Sequence, residues 1–81
     1  MSLIEDSMLF IKVAQSGSFT TAATHLESSK SQISRRIAQL EQALNASLFL
    51  RTPRGLQLTA SGKQYYEACQ AVQTSFEHAK A

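Results

Sequence analysis

The sequence is poor in cysteine, proline and glycine and has no tryptophan: one Cys, one Pro and three Gly in 81 residues. A single thiol, Cys69, excludes an internal disulfide and cannot build a cysteine metal site alone. The two histidines, His25 and His78, lack the close spacing of paired ligands, so no metal residue is assigned. No apolar run approaches the roughly 20 residues of a membrane span. The N-terminus lacks the basic-then-apolar order of a signal peptide. The expectation is a soluble, cytoplasmic protein without a membrane partner. No Ser/His/Asp or Cys/His set, paired acids or phosphate-cradling Gly loop is present, so no catalytic residue is assigned. Hydrophobic residues at 43% against 17% charged allow one small packed domain and argue against disorder.

Acids are scarce in one stretch. Residues 1–29 carry Lys12 against Glu5, Asp6 and Glu27, a net charge of −2. Residues 30–63 carry Lys30, Arg35, Arg36, Arg51, Arg54 and Lys63 against Glu41 alone, a net charge of +5. The tail, 64–81, returns to −1 through Glu67, Glu77 and Lys80. A basic middle is either a polyanion-binding surface or a solvated face, and charge by itself does not choose.

The chain reads as four helices and a hairpin. Ser2-Leu3-Ile4-Glu5 is a capping-box pattern that opens a helix ending at Ser16-Gly17. Ser18 caps a short second helix, on which Phe19, Ala22, Ala23 and Leu26 form one apolar face. Glu27-Ser28-Ser29 is a polar break with two possible caps. A third helix spans about residues 30–44, with a core stripe of Ile33, Ile37, Leu40 and Leu44, and Asn45 ends it. Ser47 to Arg51 reads as a short strand, Thr52-Pro53-Arg54-Gly55 as a turn, and Leu56-Gln57-Leu58 as a second strand. Thr59 caps a last helix of about residues 60–81. On it Gly62, Tyr65, Cys69, Val72, Phe76 and Ala79 step by 3, 4, 3, 4 and 3, a heptad seam. That helix has no C-terminal cap, so the chain is expected to be a piece of a longer protein.

The fold expected is mainly α: a winged helix-turn-helix of three helices and a two-stranded β wing, then a long linker helix. Residues 1–58 form the winged unit and residues 59–81 the linker or dimerisation helix. In a helix-turn-helix the second helix enters the DNA major groove while the first crosses the backbone. The exposed side of residues 30–44 suits this, because it is polar yet almost free of acids. Arg35 has a donor fork for guanine, Gln32 a donor and acceptor for adenine, and Ser31 and Ser34 let the backbone approach the bases. Lys30 meets a base or a phosphate. Arg36 lies between the core stripe and the outer face and reaches a phosphate or an acid. Arg54, in the wing 51–56, is the minor-groove or phosphate contact, with Thr52 beside it. Arg51 reaches a phosphate or pairs with an acid such as Glu41. Ser18, Thr20 and Thr21 place hydroxyls and free backbone N–H groups where phosphate can bind, although capping explains Ser18 equally well.

These residues also carry a resemblance. Phe10-(x2)-Val13, Gly17-Ser18-Phe19-Thr20-(x)-Ala22-Ala23-(x2)-Leu26 and Ser34-Arg35-(x)-Ile37-(x2)-Leu40-Glu41-(x2)-Leu44 resemble the N-terminal domain of LysR-type bacterial transcription regulators. Leu48-Phe49-(x)-Arg51 and Leu58-Thr59-(x)-Ser61-Gly62 continue it, and Tyr65 to Cys69 is similar to the linker helix of one branch. Two positions depart: Asn45 stands where the family usually has Gly, and Lys30 where it often has Gln. The resemblance implies base contacts from Lys30, Ser31, Gln32, Ser34 and Arg35, and a wing contact from Arg54. It implies a homodimer through the linker helix, with Tyr65, Cys69, Val72, Phe76 and Ala79 as the seam. It further implies tetramers in the full-length protein, an interrupted inverted repeat in promoter DNA, and a bacterial, nucleoid-associated location. No cofactor is expected in these residues; a small-molecule inducer is expected on a separate effector domain. The competing reading is a helical protein-interaction module, for which the seam is the best support. Salt-sensitive binding to duplex DNA separates the two.

Overall fold

Each helix begins where a hydroxyl replaces a missing backbone acceptor. In the computed structural model, which describes residues 2–80, Ser2 and Glu5 close the expected capping box on α1 (Leu3–Ser16). Hydrogen bonding by Ser2, side chain first and backbone N–H second, holds the Glu5 carboxyl below its ordinary range. Gly17 ends α1 at φ 77°, where a side chain is strained. Ser18 caps α2 (Phe19–His25) through the Thr21 N–H, and Ser29 caps α3 (Lys30–Leu44) through the Gln32 N–H. Asn45 ends α3 in the left-handed region at φ 53° and ψ 44°.

The strands are β1 (Phe49–Thr52) and β2 (Gly55–Leu58), antiparallel, with Phe49 opposite Leu58 and Thr52 opposite Gly55. The first strand was expected from Ser47 but starts at Phe49. Leu48 is withheld from the ladder: its N–H donates to Glu41 Oε2 at 2.7 Å, and its carbonyl accepts from Thr59 N at 3.0 Å. Glu41 is therefore committed to the backbone that leads into the wing, not to Arg51. The hairpin leans on the helices as a lone two-stranded sheet must. Leu56 N–H donates to Gly17 O at 3.2 Å, which ties the wing to the α1–α2 turn.

The core gathers one stripe from each element. Phe10, Val13, Ile33, Leu40 and Leu48 are the largest fully buried side chains. The Phe10 ring lies 5.2 Å from Phe49, 5.6 Å from Tyr65 and 6.2 Å from Tyr66, distances typical of favourable aromatic pairs. Leu26, expected on the buried face of α2, is its C-cap and stays 37% exposed.

The last helix, α4 (Ala60–Lys80), changes role along its length. Gly62 and Cys69 are buried, and the Tyr65 hydroxyl hydrogen-bonds Ser7 Oγ. Val72 and Phe76 are 63% and 55% exposed. The heptad seam is thus divided. Tyr65, half-buried, and Cys69, buried, pack on α1, so of the expected seam Val72, Phe76 and Ala79 are the exposed members. A 3-4 spacing defines an apolar face without saying what covers it, and α1 covers the first half. The first three turns of α4 pack on the preceding elements, where Tyr65, Tyr66 and Cys69 add to the core.

Candidate nucleic-acid interface

The α2–α3 turn decides what α3 exposes. Glu27 takes a left-handed conformation at φ 52°, and Ser28 N–H then returns to Ala23 O at 3.0 Å. This turn lays Ile33, Ile37 and Leu40 inward. At about 100° per residue, Ser31 and Arg35 then point directly outward. Lys30 and Ser34 turn to one flank, Gln32 and Arg36 to the other. Lys30, Ser31, Gln32 and Arg35 are exposed and Ser34 is half-buried.

The Lys30 flank meets the wing. Lys30, Ser18, Thr20, Arg51 and Thr52 line one shallow cavity of about 180 Å³. The Arg51 guanidinium lies 4.9 Å from the centre of the Phe19 ring, a cation–π contact that leaves its charge available. Thr52 Oγ1 donates to Gly55 O at 2.9 Å and accepts from Arg54 N at 3.2 Å, so this hydroxyl shapes the turn that presents Arg54. Ser18 Oγ accepts from Thr21 N and donates to Thr21 Oγ1, which commits the Ser18 hydroxyl to capping, while Thr20 and Thr21 are exposed. Among the described residues, Lys30, Arg35, Arg51 and Arg54 form no ion pair.

On the other flank Arg36, expected at a phosphate or an acid, gives its Nε to Asp6 Oδ1 at 2.9 Å, with the Asp6 side chain 9% exposed. A carboxylate that buried requires a partner, so Arg36 is a tether between α3 and α1. Asp6 lies thirty residues away, and nothing in the local pattern around Arg36 points to it.

This arrangement is a bent helix pair presenting a cationic helix, free of acids from Lys30 to Leu40, beside a basic hairpin. Comparison with known proteins agrees. Residues 4–63 match the family described as "Bacterial regulatory helix-turn-helix protein, lysR family". The chain belongs to the LysR family. It is 38% identical over 78 residues to an HTH-type transcriptional regulator of Xanthomonas campestris pv. campestris, covering 96% of this chain and 23% of that protein. The chain therefore spans about a quarter of that relative's length. Its structure superposes on the CbnR DBD of a DNA complex with a TM-score of 0.85 at 30% identity, covering 99% of this chain and 91% of that one. It superposes on the BenM DBD of a benA site 1 DNA complex with a TM-score of 0.85 at 28% identity, covering 96% and 90%. The LysR family is regulatory, not enzymatic, and this chain is its winged helix-turn-helix plus helix.

In this LysR-family domain one polar residue was missed as a functional candidate. Ser28 had been weighed as a cap, but Ser29 takes that role. Ser28 Oγ instead donates to Gln32 Oε1 at 2.8 Å. The i to i+4 spacing of two polar residues across a helix start was the available signal.

Proposed function

We propose that this domain reads double-stranded promoter DNA for transcription regulation, with α3 in the major groove and the wing at the minor groove. The observation that carries this reading is the exposed start of α3: Lys30, Ser31, Gln32 and Arg35 project from its first two turns, with no acid between Glu27 and Glu41. Arg35 supplies the bidentate donor for guanine. Ser31 and Ser34 keep the helix surface low enough for close approach. Lys30, Arg51 and Thr20 face the phosphates that flank the groove, and Arg54 enters the minor groove. That CbnR and BenM domains of the same fold form complexes with DNA supports DNA binding by this one.

The reading unit is a dimer on an interrupted inverted repeat. Val72 and Phe76 on the outer half of α4 are exposed, as are Leu3 and Ile4 at the start of α1. An apolar groove of about 240 Å³ between these helices continues that surface. A partner's α4 seated there removes the exposed apolar area from water. Ala79 lies one step further along the same face. Inducer recognition falls to an effector domain outside these residues.

Selection from a random duplex pool tests the proposal. Enrichment of paired half-sites at one fixed spacing is expected. Affinity should fall by about 10³–10⁵ between 50 and 200 mM salt, as for proteins making 6–10 phosphate contacts. Recovery of no duplex above background would refute it.

A further inference from the structure

The Gln32 amide does not meet DNA as a free side chain. Pairing with adenine uses both of its ends: the oxygen accepts from the base amino group and the nitrogen donates to N7. In this domain Gln32 Oε1 already accepts from Ser28 Oγ at 2.8 Å. The arrangement has a local cause. Ser29 is the cap, so Ser28 is the residue before it and Gln32 the third helical residue, whose backbone N–H donates to Ser29 Oγ at 3.1 Å. In a capping box a side chain at this position folds back to accept from the cap's N–H. Here it folds back further and accepts from the preceding hydroxyl. The partial positive charge of the helix start draws the amide oxygen inward and turns the amino group out. Ser28 reaches this point because Glu27 turns the chain at φ 52° and Ser28 N–H anchors on Ala23 O at 3.0 Å.

We infer that Ser28 sets the base preference of this domain by holding Gln32 as a donor to keto bases, guanine or thymine, in place of the two-ended reading of adenine. Guanine O6 and N7 and thymine O4 are acceptors that suit an outward amino group. Adenine presents its own amino donor beside N7; the Gln32 oxygen has a second lone pair, but held back on Ser28 it is turned away from that donor. Ser28 is thus a positioning residue that acts through Gln32. The inference rests on the DNA-reading proposed above.

The test is selection from a random duplex pool with four proteins: the wild type, Gln32→Ala, Ser28→Ala and Ser28→Thr. Gln32→Ala marks the base pair that Gln32 reads, by making that position indifferent. The wild type should enrich guanine or thymine there. Ser28→Ala frees the amide and should move the preference toward adenine by about tenfold, the order of one base-edge contact. Ser28→Thr keeps the hydroxyl and should retain the wild-type preference. Ser28 is exposed and its anchoring bond is to backbone, so Ser28→Ala should unfold at the wild-type temperature, and a shift in preference is then no folding defect. Adenine preferred by the wild type, an unchanged preference in Ser28→Ala, or no position altered by Gln32→Ala would each overturn the inference while leaving the DNA-reading intact. A wild type that enriches no duplex would overturn both.

Discussion

Gly62 is the point where α4 lies closest to the wing, and a single methyl group there tests the packing. A Cβ at Gly62 would sit 2.1 Å from Leu48 O, 3.0 Å from Leu48 C and 3.2 Å from Leu58 Cδ2. Leu48 has little freedom to retreat. Its side chain is 1% exposed, its N–H is held by Glu41 and its carbonyl by Thr59. Overpacking of this kind costs about 1–3 kcal/mol, and a clash against held backbone belongs at the upper end. Alanine recovers about 1 kcal/mol in helix propensity. Gly62→Ala should therefore lose about 2 kcal/mol net. In a domain of this size that lowers Tm by about 8–16 °C, followed by circular dichroism. The exposed neighbour Ser61→Ala serves as the control and should change stability by no more than about 0.5 kcal/mol. A Gly62→Ala protein that melts at or above the wild-type temperature would refute the reasoning and place α4 away from Leu48.

Three further perturbations probe separate features. Asp6→Ala strips Arg36 of its partner and should cost about 1–2 kcal/mol in urea unfolding, the order of one lost hydrogen bond to a charged group, because Arg36 is partly exposed; unchanged stability would mean the tether contributes nothing. Burial pushes the Cys69 thiol up from its ordinary value, and the side chain is 6% exposed. Thiol reagents at neutral pH should label it at least about tenfold slower in the native protein than in urea, since the thiolate is the reacting form; equal rates would show that the first half of α4 is not packed on α1. Val72→Asp or Phe76→Asp puts a charge into the proposed dimer seam and should lower the mass measured by sedimentation toward that of the monomer; an unchanged dimer would locate the interface elsewhere.

Signals carried by neighbouring backbone were legible in the sequence. Ser2 with Glu5, Ser18, Gly17 and Asn45 all act within one turn of where they stand, so the helix ends they mark follow from their own residues. The limits of α3 follow from the same logic, as does the outward side of its first turns. Partnerships across the fold were not legible. Asp6 and Arg36 are thirty residues apart, and either an acid or a phosphate satisfied the sequence reading. Arg51 was assigned Glu41 as one partner, but Glu41 is taken by backbone and Arg51 rests on Phe19. The seam was read as one continuous surface because periodicity does not reveal that α1 covers Tyr65 and Cys69. Gln32 was treated as an open amide because its partner lies outside the helix, in the turn before it.

The most direct test of the central claim concerns Arg35. Affinity of the wild type and Arg35→Ala is measured on the selected half-site, and on duplexes changed at single base pairs, across a range of salt. If α3 reads the major groove, Arg35→Ala loses about 1–3 kcal/mol on the selected site. It should lose almost nothing on the duplex already changed at the base pair that Arg35 contacts, and the salt slope should hold. A loss equal on every duplex, with the slope reduced by about one, would make Arg35 a phosphate contact and contradict the account.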